Sequence, residues 1–352
     1  MARLPRFPAR VEHATLRACC RLPRPAKVAL FGRPPVIDGQ RLDLDMLVVL
    51  GLGRMVGRET LTGGLPAELA RAHVEKDAAA GSGPPLPMAS VESLEIPGAA
   101  GPLAARFYVP YGARPVPRPL LLYFHGGGWL VGSLDTHDSV CRFLAAHSGA
   151  AVLASTYRLA PEHPYPEPVE DAMAVYRWTV ENAPNLDADP SRIGVGGDSA
   201  GGNLATGICI AARGAGEPMP AMQLLIYPVT DALCEDRSRE LFSTGFKLTA
   251  ADIVEFERAY IQDPTRVREP LASVLRGPDL SGLPPAYVAT AGFDPLRDEG
   301  EQYAVRMRNE GVKVALRRHP GLIHTFANMT SFSRSARAAM LEAAGALRMG
   351  LS

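Results

Sequence analysis

The chain has 352 residues, 47% of them apolar and 21% charged, and its 37 Lys plus Arg balance its 37 Asp plus Glu. That length and apolar share suit a soluble globular protein of one large domain with an accessory lobe, and a zero net charge provides no field for holding nucleic acid. The five cysteines lack any C-x-x-C pair, and Cys19 and Cys20 are adjacent; this argues against a zinc or disulfide framework and fits a reducing, cytoplasmic setting.

Residues 1 to about 80 read as helical pieces without clear strands. Pro5, Pro8, Pro23 and Pro25 break the Arg-rich start and no continuous apolar core comes after it, so no secretory signal is expected. Met46 to Leu52 is too short to cross a bilayer, and no integral membrane segment is expected. The Arg-plus-Leu pattern of the first 30 residues fits a membrane-surface helix or a lobe packed on the rest, and the lobe is favoured. Gly81-Ser82-Gly83-Pro84-Pro85-Leu86-Pro87 then punctuates the chain. That break divides the chain into an N-terminal region of 1–88 and a main domain of 89–352.

Val91–Ile96 and Leu103–Val109 predict a hairpin around Gly98 and Gly101. Beyond residue 119, apolar runs alternate with helical patterns. The runs are Leu120–Phe124, Ala151–Ser155, Ile193–Gly196, Leu224–Tyr227, Ala286–Ala291 and Val312–Leu316. The helices fall near 138–147, 169–182, 201–213, 297–310 and 334–348. Such alternation predicts an α/β protein with a mainly parallel sheet covered on both faces, its functional loops at the strands' carboxyl ends. Residues 231 to about 275 interrupt the alternation with charged sequence and a helix near 250–261, which reads as an insertion above the sheet.

Gly197-Asp198-Ser199-Ala200-Gly201 stands between an apolar run and a helical segment. Strand, sharp turn and helix are the context of a nucleophile elbow. Ser199 would occupy the strained turn, and larger side chains two residues either side would collide. Upstream, His125-Gly126-Gly127-Gly128-Trp129 comes directly after the first parallel strand. A glycine loop there lets backbone N–H groups approach an oxyanion. Gly127 and Gly128 are the predicted donors, with the Ala200 N–H as third and Gly126 a weaker candidate. A phosphate-binding reading fails because neither G-x-G-x-x-G nor a following Lys-Ser/Thr is present.

The acid and base of such a site come after the serine in the chain. Asp294 lies in the turn after Ala286–Ala291, whereas Asp298 and Glu299 fall on the next helix's first turn, where acids stabilise the dipole. Asp294 is therefore the predicted acid. Of the two later histidines, His319 ends a strand and His324 lies in the loop beyond it, so His324 is the predicted base. His125 precedes the serine and reads as structural. His137 and His163 read as loop-fixing residues, and Glu162 is a candidate for holding the oxyanion loop. No H-E-x-x-H spacing or other metal motif is present.

Taken together, His125–Trp129, Gly197–Gly201, Tyr157-Arg158-Leu159-Ala160-Pro161-Glu162, Asp294–Glu299 and Gly321–Phe326 resemble the bacterial hormone-sensitive-lipase-like esterases, in their Gly-Asp-Ser-Ala-Gly subgroup. The resemblance spans about residues 119 to 345 and implies an α/β-hydrolase fold. It also implies a serine carboxylesterase acting on short- to medium-chain acyl esters without a cofactor. It implies further that 1–88 and 231–275 form a helical cap over the pocket, and a homodimer is compatible with it. Trp129, Tyr157 and Phe326 are candidates for lining the pocket, with buried core as their alternative. Two other functions share the pattern: an amidase or deacetylase with the same triad, and a non-catalytic binder on this fold, against which the presence of His324 argues.

Overall fold

A computed structural model describes residues 8–112, 116–277 and 279–352. The first seven residues of the predicted N-terminal helical region lie outside the described ones. Four helices make up most of the rest of that region: α1 (Ala9–Arg21), α2 (Arg24–Phe31), α3 (Leu44–Val56) and α4 (Ala67–Ser82). The expectation of no strands here needs one correction. Strands β1 (Val36–Ile37) and β2 (Gln40–Arg41) pair as a small hairpin. Asp38 and Gly39 at its tip both have positive φ, 54° and 73°, which is the backbone a tight two-residue hairpin turn requires.

Strands β3 (Ser90–Pro97) and β4 (Pro102–Val109) form the predicted antiparallel hairpin. After them come β5 (Arg118–Phe124), α5 (Asp138–Ser148), β6 (Ala151–Ser155), α6 (Glu167–Glu181), β7 (Ala188–Asp198), α7 (Ala200–Ala215) and β8 (Gln223–Ile226). The inserted stretch carries α8 (Arg237–Leu241) and α9 (Ala250–Tyr260), and the chain closes with β9 (Ala286–Phe293), α10 (Arg297–Asn309), β10 (Val314–Ile323) and α11 (Arg334–Gly350). Eight strands share one sheet in the order β10-β9-β8-β7-β5-β6-β4-β3, parallel from β10 to β6 and antiparallel beyond.

Alternation along each strand decides how the sheet is covered. Leu120, Leu122 and Phe124 of β5 enter one core with Val169, Leu204, Ile208 and Met307 of α6, α7 and α10. Leu121 and Tyr123 enter the other with Phe143, Leu144, Met340 and Leu347 of α5 and α11. β10 is an edge strand, and its exposed Arg317 and Arg318 supply the charge that keeps such an edge from pairing with another chain.

The chain runs from β5 to β6 on one side, then crosses to β7 on the other. The crevice where the winding reverses lies between β5 and β7, at their carboxyl ends, the place where doubly wound sheets bind ligands. Above it sits α9. Thr249 and Asp252 form a capping box at its start, and the same Asp252 carboxylate accepts from Thr62 N–H (3.1 Å), Thr62 Oγ1 (2.9 Å) and Leu61 N–H (3.3 Å). The segment between α3 and α4 is thereby bonded onto α9. Among the described residues, no helix is long and apolar enough to cross a membrane.

Candidate active site

β7 ends at Asp198 and α7 begins at Ala200, leaving Ser199 alone in the turn with φ 54° and ψ −122°. That conformation is costly for a residue with a Cβ and persists only where surroundings enforce it. They do so through close backbone packing: a Cβ on Gly201 would lie 2.0 Å from the Phe124 carbonyl oxygen, and one on Gly197 2.4 Å from the Gly201 carbonyl carbon. The elbow can approach β5 this closely only with glycine at both positions.

Sheet register delivers the other two groups. Phe293 and Ile323 are partners at the ends of β9 and β10, so the next residues along, Asp294 and His324, emerge side by side. His324 Nδ1 lies 2.7 Å from Asp294 Oδ2, and His324 Nε2 lies 3.0 Å from Ser199 Oγ. The Leu296 N–H donates to the other Asp294 oxygen at 2.9 Å. Asp294 is wholly buried, and His324 and Ser199 are 1% and 7% exposed. The structure thus brings together the three residues predicted from sequence.

The glycine loop leaves β5 beside the elbow. Gly127 and Gly128 have φ 122° and 58°. Among the described residues, the amides of Gly127, Gly128 and Ala200 donate to no protein acceptor. Gly126 is different, because its N–H donates to Asp198 Oδ1 at 3.0 Å. Sequence reasoning gave Asp198 no role. Its buried carboxylate also accepts from Tyr123 Oη at 2.7 Å and faces His137 Nε2 at 3.2 Å. Burial alone would raise this carboxyl, but His137, the Tyr123 hydroxyl and the Gly126 N–H hold it down at about 2. Asp198 is thus a fixed negative charge joining the elbow to the glycine loop. His125 is held from the other side: Tyr157 stacks on it at 4.5 Å and donates to its carbonyl at 2.9 Å. Burial and the neighbouring His137 lower the His125 imidazole to about 4, so it stays neutral.

A narrow cavity of about 20 Å³ opens on Ser199. Gly128, Trp129, Val229 and Leu296 line it from the sheet side, and Leu248, Ile253, Phe256 and Glu257 from the insertion. Trp129 occupies the predicted position, held at φ 57° and stacked on Tyr260 at 3.9 Å. Tyr157 and Phe326 do not line this cavity. Tyr157 is packed behind the glycine loop as described, and Phe326 is buried against Tyr227 and His319 with edge-to-face geometry.

Glu162 also differs from expectation, because it does not touch the glycine loop. It pairs with Arg71 of α4 at 2.6 Å, and Arg71 makes the bonds to the Leu130 and Ala160 carbonyls at 2.9 and 2.8 Å. Asp298 accepts from the Ser238 N–H and pairs with Arg297. Glu299 accepts from the Thr230 and Asp231 amides and faces Arg239 at 3.1 Å. Both acids serve α10 and its neighbours, and neither reaches His324. His163 pairs with Glu167 at 2.8 Å. Among the described residues, no group of three or more His, Cys, Asp or Glu is disposed to hold a metal ion.

Residues 121–328 match the Abhydrolase_3 family, described by its alpha/beta hydrolase fold. Over 338 residues the chain is 43% identical to the carboxylic ester hydrolase LipN of Mycobacterium tuberculosis, a match covering 94% of this chain and 89% of that protein. It is 36% identical to an ethyl acetate hydrolase of Pseudomonas putida over 87% of this chain and 97% of that one. A solved ester hydrolase from the metagenome of Lake Arreo superposes with a TM-score of 0.82 at 40% identity, covering 88% of this chain and 98% of that structure.

Proposed function

We propose, from the premise that this chain belongs to the α/β-hydrolase family, that Ser199, His324 and Asp294 are its catalytic triad and that it hydrolyses short- to medium-chain acyl esters. The chain is a carboxylesterase, in keeping with relatives named as ester hydrolases over nearly its whole length. The observation that carries the site assignment is the continuous buried path Asp294–His324–Ser199, at 2.7 and 3.0 Å.

Each step follows from those contacts. His324 Nε2 takes the Ser199 proton as Oγ attacks the ester carbonyl. Asp294 holds the proton on Nδ1 and stabilises the imidazolium that forms. The carbonyl oxygen gains negative charge in the tetrahedral intermediate and accepts from the free N–H groups of Gly127, Gly128 and Ala200. His324 returns its proton to the leaving alcohol, giving the acyl-enzyme. A water activated by His324 then releases the acid.

The same reading extends to the surroundings. The N-terminal region 1–88 and the insertion at 231–275 act as a cap over the 89–352 catalytic domain, supported by the bonds from Thr62 to Asp252 and the contribution of α9 to the cavity. All five cysteines are free thiols, which supports a reducing, cytoplasmic setting. A homodimer accords with the family and is checked by light scattering.

Labelling with a fluorophosphonate probe, together with the rate on p-nitrophenyl esters, tests the assignment. The wild-type protein labels and turns over, and Ser199→Ala does neither. Full esterase activity in Ser199→Ala would overturn the triad.

A further inference from the structure

The buried stripe of α9 runs through Ile253, Phe256 and Tyr260, at helical spacings i, i+3 and i+7. Glu257 stands at i+4 from Ile253, on that same face. Helix periodicity thus places a carboxylate where the pattern calls for an apolar side chain. The consequence shows in the cavity: among the described residues, Glu257 is the only acidic or basic side chain lining it, beside Trp129, Val229, Leu248, Ile253, Phe256 and Leu296.

The hydrogen-bonding capacity of this carboxylate is unfilled. Oε1 is buried and lies 3.0 Å from Arg239 Nη1, but out of line for a hydrogen bond. Oε2 accepts from no donor among the described residues. Burial raises the Glu257 carboxyl even though Arg239 pulls it down. Glu257 thus has a charge partner in Arg239 but no well-aligned donor, and an acceptor left short of donors at the wall of a binding cavity is a place where a ligand can supply one.

We infer that Glu257 is a specificity-determining residue, whose carboxylate accepts a hydrogen bond from a hydroxyl on the ester arm that enters this cavity. This rests on the reading of Ser199 as the nucleophile beside it. The choice of a neutral hydroxyl over an ammonium follows from Arg239, whose guanidinium already faces Glu257 and bonds onward to Glu299 and the Asp231 carbonyl, both at 3.1 Å. An ammonium would meet that positive charge, whereas a hydroxyl donates to the carboxylate and leaves the ion pair in place. The rest of the wall is mostly apolar and the cavity measures about 20 Å³, so the arm is short, with its hydroxyl close to the ester.

Matched p-nitrophenyl esters test the inference: a plain alkanoate, its hydroxyalkanoate of equal length and the corresponding aminoalkanoate. A second pair places the hydroxyl on the alcohol arm, with a plain acetate ester of equal length as its control. The readout is the kcat/KM ratio of hydroxylated to plain ester. A hydrogen bond to a charged group predicts a ratio about 10- to 100-fold higher in wild type than in Glu257→Leu, expressed mainly in KM, with Glu257→Gln between them. An equal ratio in wild type and Glu257→Leu on both arms, with both proteins folded by circular dichroism, overturns the inference and leaves Glu257 as a tether for Arg239. A gain confined to the aminoalkanoate overturns it as well. Failure of the parent reading looks different, since no plain ester would then be hydrolysed at all.

Discussion

Asp198 Oδ1 accepts the Gly126 N–H at 3.0 Å, and this bond joins the residue before the proposed nucleophile to the loop of the proposed oxyanion donors. Two segments 72 positions apart are thereby held in one geometry by a carboxylate that stays ionised. Oxyanion stabilisation depends on donors fixed in advance of the reaction, so the bond places Asp198 as a positioning residue. Asp198→Asn keeps Oδ1 as acceptor for Tyr123 and Gly126 but removes the charge and turns an amide towards His137. The expected result is a fall in kcat of about 10- to 100-fold with little change in KM. Steady-state kinetics on p-nitrophenyl acetate checks the split, since a merely structural role would lower the melting temperature and leave kcat per folded enzyme unmoved.

The two acids after β9 differ in what they touch. Asp294 bonds to His324, whereas Asp298 bonds to Arg297 and the Ser238 N–H. Asp294→Asn is expected to lower kcat by about 10⁴-fold, because the wrong tautomer is then held at His324. Asp298→Asn is expected to cost less than about tenfold. His324→Ala and Ser199→Ala should each lose about 10³- to 10⁶-fold. Equal losses for the two aspartates would displace Asp294 from its role.

Phe256 sits against Gly128 so closely that a Cβ on the glycine would lie 2.1 Å from the ring. The ring therefore limits the depth of the cavity over the oxyanion loop. Phe256→Ala is expected to move the acyl-chain optimum towards longer esters, raising kcat/KM on an octanoate relative to a butyrate by about tenfold. A chain-length series across wild type and variant measures the shift, and an unchanged profile would remove Phe256 from the acyl path.

Glu299 offers a test by pH. Burial outweighs the pull of Arg239 and two amides and pushes this carboxyl up from 4.5 to about 7. Below pH 4.5 both folded and unfolded chains hold the proton, so the group contributes no difference. As pH rises from 4.5 to about 7 the unfolded chain releases it first, and stability falls by about 3 kcal/mol. Above that the loss is complete and level. Denaturant unfolding across this window should show the decline in wild type and a flatter profile in Glu299→Gln.

Most of the sheet was legible because its strands are short apolar runs bounded by turns, and Ala151–Ser155 shows the limits of such a run matching the strand itself. β7 begins earlier than its apolar run, at Ala188, because Asp189, Ser191 and Arg192 pair at the sheet's polar amino edge. The hairpin at Asp38-Gly39 carried a readable turn signal, but strands of two residues leave no alternation to detect. In the site, Ser199, Asp294 and His324 could be picked out by residue type and order along the chain. Asp198 and Arg71 could not, since each bonds to partners distant in the chain, and only the folded register reveals the pairing. Tyr157 and Phe326 show the converse, aromatic residues inside motifs that turn out to support the site from behind.

The Asp252 carboxylate starts α9 and also receives the Thr62 backbone and hydroxyl. One side chain thus fastens two stretches of sequence 190 residues apart into a single piece of roof. Recombination between relatives has to respect that joint. A chimera that imports residues 231–275 alone would part Asp252 from the Thr62 it holds, so under the proposed cap substrate preference is expected to follow both segments together.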